Sequence, residues 1–255
     1  MLLVMDVGNT NTVLGVYDRT RLLAHWRLTT VRDRTVDEYG ILARNLLALA
    51  AIDAAAIDGL IIASVVPPLD GVLEAMALSY FRLKPIFVEP GVKTGMPILY
   101  DNPQEVGADR IVNSVAAYER CQGAVIVVDF GTATTFDAIT RRGEYLGGAI
   151  APGLSIAAEA LFQRAARLPR VDIRRPPRVV GRNTTHSLQS GLFFGYLGLV
   201  HGILSRMREE MGEPVRTIGT GGLSQALQSE LEGLLDEVDP NLTLEGLRLL
   251  YDRNR

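Results

Sequence analysis

The chain has 255 residues, 47% of them hydrophobic and 22% charged, with a formal net charge of −3. That length and balance suit a folded protein with a sizeable core. The slight acidity argues against a general nucleic-acid binder, whose affinity rests on neutralising phosphates.

A single cysteine, Cys121, excludes an internal disulfide and gives no zinc-ligand spacing. The opening Met-Leu-Leu-Val-Met-Asp has no basic stretch leading into a long apolar one. No apolar run approaches the ~20 residues of a membrane span. The expectation is a cytoplasmic chain with no membrane and no nucleic-acid partner.

In chain order, Leu2–Met5 is an apolar run ending at Asp6-Val7-Gly8-Asn9-Thr10, followed by Thr12–Tyr17 and Leu22–Leu28. Strand, tight polar turn, strand, strand predicts an antiparallel meander. Thr35 and Glu38 have capping-box spacing, and Tyr39, Leu42, Leu46 and Leu49 share one face of the helix they open. Leu60–Val66 reads as a buried strand stopped by Pro67-Pro68. Gly91–Pro103 reads as a loop, and Gly107–Arg120 has helical spacing at Ile111, Val115 and Tyr118. Ala124–Val128 is an apolar strand ending at Asp129-Phe130-Gly131-Thr132, with further strands at Thr134–Thr140 and Glu144–Ile150. A helix is expected at Leu154–Leu168. Arg164–Arg182 carries seven arginines against one acid, Asp172, and predicts an exposed loop. Helices follow at Leu188–Met211, Ser224–Leu235 and Leu244–Tyr251, with a strand at Pro214–Gly219 running into Gly221-Gly222.

The sequence contains an internal echo. Val4-Met5-Asp6-Val7-Gly8-Asn9-Thr10-Asn11-Thr12 can be laid on Val127-Val128-Asp129-Phe130-Gly131-Thr132-Ala133-Thr134-Thr135. One copy starts the chain and the other starts its second half, so two related halves are expected, 1–118 and 119–255, with the alternative that the last helix packs back on the first half. The glycine permits a tight turn and close backbone approach to a ligand. The hydroxyl and amide residues after it can bond phosphate oxygens. A carboxylate at the strand end can hold Mg²⁺ through water. One such turn reads as a plain hairpin with an Asx-type bond; two at matched positions can grip a polyphosphate from both sides.

Gly107-Ala108-Asp109-Arg110 lies where a loop becomes a helix, and a helix N-terminus favours anions. Asp109 can accept a proton from a substrate hydroxyl, and Arg110 can bind a carboxylate in bidentate fashion. A first-turn acid with a surface ion pair explains the tetrapeptide equally well. No Gly-x-x-x-x-Gly-Lys-Ser/Thr segment is present, and Lys84 and Lys93 are the chain's only lysines.

The two Asp-x-Gly turns, with Thr217-Ile218-Gly219-Thr220-Gly221-Gly222, resemble the phosphate- and adenosine-binding layout of the superfamily of actin, hexokinase and the heat-shock chaperones. The ordered series resembles the type III pantothenate kinase family along essentially the whole chain. It runs from Asp6–Thr10 through Gly95-Met96-Pro97, Gly107–Arg110, Asp129–Thr132, Gly147–Gly153 and Gly181–Thr184 to Leu242–Leu247.

That resemblance implies an α/β, two-domain duplicated actin-like (ribonuclease H-like) ATPase fold with mixed sheets and an inter-domain cleft. It implies ATP-dependent phosphorylation of pantothenate by a homodimer. Asp109 is then the general base, and Asp6, Val7, Gly8, Asn9, Thr10, Asn11, Thr12 and Val13, with Thr132, hold ATP and its Mg²⁺. Tyr100, Gly107, Ala108, Asp109, Arg110 and Thr184 meet pantothenate, with Thr185 an alternative to Thr184. Asp129 holds K⁺ or NH₄⁺. The residues alone leave blander readings open. Tyr100 is then a packed loop aromatic, Thr184 a cap for the helix after it, and the arginine-rich loop a solvated segment. A non-catalytic nucleotide switch on the same scaffold needs the two turns but not Asp109 with Arg110. A transcriptional regulator needs a basic helix or helix-turn-helix, and the sequence shows neither.

Overall fold

The computed structural model describes residues 1–165 and 168–255. Within it the chain divides into two compact units, Met1–Glu119 with Asn241–Arg255, and Arg120–Pro240.

In the first unit, β1 (Leu2–Val7), β2 (Asn11–Asp18) and β3 (Arg21–Thr29) form the antiparallel meander. Strands β4 (Gly59–Ser64) and β5 (Ile86–Phe87) add to it in parallel, giving the order β3-β2-β1-β4-β5. Both β1 and β4 are buried along nearly their whole length, as central strands covered on both faces must be. Helix α1 (Val36–Leu49) starts at a complete capping box, with Thr35 and Glu38 each satisfying the other's backbone N–H.

β4 ends at Ser64, before Pro67-Pro68, and the prolines open a helix missed by the sequence reading, α2 (Pro67–Met76). Proline is tolerated at a helix's first turn because no N–H is needed there. Leu69, Leu73 and Met76 of α2 join Leu3, Met5, Leu60, Ile62, Tyr39 and Leu47 in one core. Helix α3 (Ala108–Cys121) follows a loop.

The second unit repeats this plan. Strands β6 (Val125–Phe130), β7 (Ala133–Ile139) and β8 (Tyr145–Pro152) form an antiparallel meander, and β9 (Arg216–Thr220) and β10 (Glu237–Val238) extend it in parallel. The order β10-β9-β6-β7-β8 is that of the first sheet read from the other edge. Helices α4 (Leu154–Arg164) and α5 (Thr184–Met211) lie between β8 and β9. By length and composition alone, the 28-residue α5 is apolar enough to cross a membrane, a test that a core helix also passes. One face of it, at Leu192, Phe193, Tyr196, Val200 and Leu204, packs with Ile126, Val128 and Phe136 in the unit's core.

Three further differences from the sequence reading have local causes. The helix expected over Ser224–Leu235 stops after four residues as α6 (Ser224–Leu227), followed by one 3₁₀ turn. Gly233 then adopts φ +81°, which no helix continues through. The arginine-rich segment is irregular, but Arg170 bonds Glu159 at 2.5 Å and Arg175 bonds Glu230 at 2.8 Å, so it is tied down at both points. Arg167 of that segment lies outside the described residues. The last helix, α7 (Leu242–Asn254), belongs with the first unit, whereas the expected division at 118/119 leaves it with the second half. Leu244 meets Gly15, and the Arg248 guanidinium stacks 5.8 Å from the Tyr17 ring centroid.

Candidate active site

The first turn joins β1 to β2. Strand pairing runs to Val7↔Thr12, leaving Gly8–Asn11 as the loop, closed by the Gly8 N–H donating to the Asn11 carbonyl at 2.9 Å. A Cβ on Gly8 would stand 3.1 Å from that carbonyl, so glycine suits the close approach. Asn9 and Thr10 are exposed, while Asp6, Gly8, Asn11 and Val13 are half-buried. Val7 and Thr12 are fully buried and shape the turn from behind.

Two residues that the sequence reading passed over meet this turn. The Thr30 hydroxyl donates to the Gly8 carbonyl at 2.7 Å and lies 2.9 Å from the Thr12 hydroxyl. Arg32 donates to the Asn9 side-chain carbonyl at 3.1 Å. The signal lay in the strand register, which sets Thr29 opposite Asn11 and brings the next residues back to the turn.

The second turn joins β6 to β7 and is one residue shorter. Pairing runs to Phe130↔Thr134, and the Gly131 N–H donates to the Ala133 carbonyl at 3.1 Å. The echo that lays Thr12 on Thr135 is therefore displaced by one residue after the turn. Thr134 is the positional counterpart of Thr12, and both are 0% exposed. Thr134 has its own brace, the Tyr196 hydroxyl at 2.6 Å. Thr132 is exposed, and its carbonyl accepts the Gly153 N–H at 3.2 Å.

Asp129 is half-buried near the end of β6 and pairs in register with Thr220 of β9. The Thr220 hydroxyl is buried with no hydrogen-bond partner. Gly221 takes φ +91°, and a Cβ there would fall 2.3 Å from an Asp129 carboxylate oxygen. Only glycine fits, for a reason internal to the sheet.

Gly107 immediately precedes α3, and its carbonyl accepts the Ile111 N–H at 3.2 Å. Ala108 and Asp109 are half-buried in the first turn, and Arg110 is 6% exposed. The Asp109 carboxylate folds back to accept the Arg110 N–H at 2.8 Å, and a side chain at 107 would stand 2.6 Å from its oxygen. Burial pushes the Asp109 carboxyl above the usual carboxylate range, and the bond from the Arg110 N–H offsets only part of that push. Tyr100 sits half-buried in the preceding loop. Thr184 and Thr185 are both exposed at the start of α5. The cap of that helix is Asn183, whose side chain accepts the His186 N–H at 2.8 Å.

Among the described residues no three or more His, Cys, Asp or Glu side chains are grouped so that they could hold a metal ion. A Mg²⁺ ion does not require such a group, because it keeps waters and uses one or two carboxylates with phosphate oxygens. The single carboxylate of Asp6 near the end of β1 fits that habit. Asp129 with the unpartnered Thr220 hydroxyl is an all-oxygen pair suited to a hard cation.

Comparison with known proteins gives a consistent picture. A family model described as type III pantothenate kinase matches residues 2–206. A type III pantothenate kinase of Koribacter versatilis is 60% identical over 265 aligned positions, covering 100% of this chain and 96% of that protein. Among solved structures, a Baf family transcriptional activator from Campylobacter jejuni matches with a TM-score of 0.58 at 21% identity, covering 99% of this chain and 98% of that one. An N-acetylglucosamine kinase from Porphyromonas gingivalis matches at 0.53 and 14% identity, covering 100% and 99%. At such identities these two show the fold alone, α/β with two units built on matching mixed sheets, and nothing about chemistry.

Proposed function

The chain belongs to the type III pantothenate kinase family, and from that premise we propose that it transfers the γ-phosphoryl group of ATP to the primary hydroxyl of pantothenate. This is the first step of coenzyme A biosynthesis, and Asp109 acts as its general base. The observation that carries the reaction is the 60% identity along the whole chain. What supports Asp109 is its setting. It is a carboxylate of raised proton affinity, oriented by the Arg110 N–H and let into place by Gly107.

Each part has a physical task. The Gly8–Asn11 turn offers backbone and side-chain donors to the phosphates, and exposed Asn9 and Thr10 lie at its rim. Thr132 does the same from the second turn. Asp6 would hold the Mg²⁺ that accompanies ATP, which would supply charge neutralisation on the phosphates. Asp129, with Thr220 opposite it in register, would hold K⁺ or NH₄⁺. Arg110 matches the planar carboxylate of pantothenate with its guanidinium fork, Gly107 and Ala108 let the substrate approach the helix N-terminus, and Tyr100 flanks it. Asp109 orients the attacking hydroxyl and takes its proton as the phosphoryl group transfers.

Replacing the base tests this assignment. Asp109→Asn is expected to bind ATP normally and to lose about 10²–10⁴ in kcat. A near-normal kcat removes Asp109 from the role.

A homodimer completes the reading, with Thr184 reaching pantothenate from the partner subunit. Support comes from apolar side chains left open on the second unit, Ile150 on β8 at 65% exposure and Val179 and Val180 at 65% and 78%. Sedimentation at micromolar concentration is expected to give a dimer that Val180→Asp weakens. A wild-type monomer contradicts it.

A further inference from the structure

The segment after β3 touches the first turn at three points. The Thr30 N–H donates to the Thr10 carbonyl at 2.9 Å, the Thr30 hydroxyl donates to the Gly8 carbonyl at 2.7 Å, and Arg32 donates to the Asn9 side-chain oxygen at 3.1 Å. A threonine hydroxyl has one hydrogen. The Thr30 hydrogen goes to Gly8, so in the 2.9 Å bond between Thr12 and Thr30 it is Thr12 that donates. The proton order is fixed: Thr12 hydroxyl to Thr30 oxygen, Thr30 hydroxyl to Gly8 carbonyl. Thr12 is 0% exposed, so this hydrogen is committed to the protein.

The carbonyls of Gly8, Thr10 and Asn11, and the side-chain oxygen of Asn9, all accept from protein donors. A turn whose oxygens are engaged from behind repels a phosphate less and presents its donors to it. We propose that Thr30 and Arg32 are positioning residues for nucleotide binding, forming a strap that satisfies the acceptors of the Gly8–Asn11 turn so that the turn meets polyphosphate with donors. Thr12 is the buried end of this strap. In the second unit the counterpart Thr134 meets the Tyr196 hydroxyl at 2.6 Å, as Thr12 meets the Thr30 hydroxyl at 2.9 Å. The inference rests on the reading of this turn as the ATP phosphate site.

The test is steady-state kinetics of the full-length protein with ATP and pantothenate varied separately, alongside thermal unfolding. Thr30→Val keeps the shape and removes the hydroxyl. It is expected to raise the ATP KM about tenfold and to leave the pantothenate KM within about twofold. Thr30→Ser restores the hydroxyl and is expected to restore the ATP KM. Arg32→Ala changes an exposed side chain and does not threaten folding. It is expected to raise the ATP KM about twofold to fivefold, which keeps the idea testable if Thr30→Val does not fold.

An unchanged ATP KM in Arg32→Ala and Thr30→Val, or a Thr30→Ser as impaired as Thr30→Val, overturns the strap. Asn9→Ala separates this failure from a failure of the site. If Asn9→Ala weakens ATP and the strap variants do not, the strap alone is wrong. If none of them affects ATP, the turn is not the phosphate site and both readings fall.

Discussion

Asp109 carries two opposed demands. As the proposed base it must be ionised, yet the folded protein holds its carboxyl above the ordinary range because burial disfavours the charge. The folded state therefore binds this proton more tightly than the unfolded chain does. Its contribution to stability is present at acid pH and is lost as pH rises through the raised value. Asp109→Asn removes the charge and is expected to raise the Tm at neutral pH, with the gain shrinking towards about pH 3, below the unfolded-chain value. A variant that is less stable than wild type at neutral pH contradicts this setting. The tetrapeptide around Asp109 was legible because its chemistry is local. Thr30 was not, since nothing in its neighbours Thr29 and Val31 marks it. Its importance arises from the β2–β3 register, which returns it to Gly8. The unpartnered hydroxyl of Thr220 escaped for the same reason, as it acquires meaning only beside Asp129 on a neighbouring strand.

Among the elements, α7 shows how a segment remote in sequence supports the helix that carries Asp109 and the loop before Tyr100. Its Gly246 lies against the Val112 carbonyl of α3, where a Cβ would stand at 2.2 Å, and Thr243 bonds Asn113 at 2.8 Å. Its last turn pins the loop leading towards Tyr100. The Lys93 N–H donates to Asn254 at 2.9 Å, Arg253 donates to the Thr94 carbonyl, and Arg253 pairs with Glu119 at 2.9 Å. The helix carrying Asp109 and the loop carrying Tyr100 are thus both anchored on α7. Gly246→Ala is expected to cost about 1–3 kcal/mol by overpacking and to raise the pantothenate KM as α3 shifts, measured by denaturation and kinetics. An unchanged Tm contradicts the tight contact. The sequence read most elements by type because their periods were clear, as in the Thr35–Glu38 box. It misjudged those decided by a single residue's context: Pro67 opens α2, and Gly233 at φ +81° bars a helix running to Leu235.

Across the whole chain, the duplicated plan was visible in one short echo because the turn after each first strand carries the same constraint, a glycine that lets the backbone close tightly. The extent of the repeat was not visible. Among the described residues ten strands fall into two sheets of identical connectivity, yet the sequences outside the turns share only burial, which many residues satisfy equally. The one-residue difference between the turns, and the return of α7 to the first unit, arise from pairing and packing that no local window contains. The central claim is the reaction itself. Purified protein would be incubated with ATP, Mg²⁺ and pantothenate, with and without K⁺, and 4′-phosphopantothenate followed by mass spectrometry. The account predicts product, and more of it with K⁺. No product in either condition from protein that still binds ATP would contradict it.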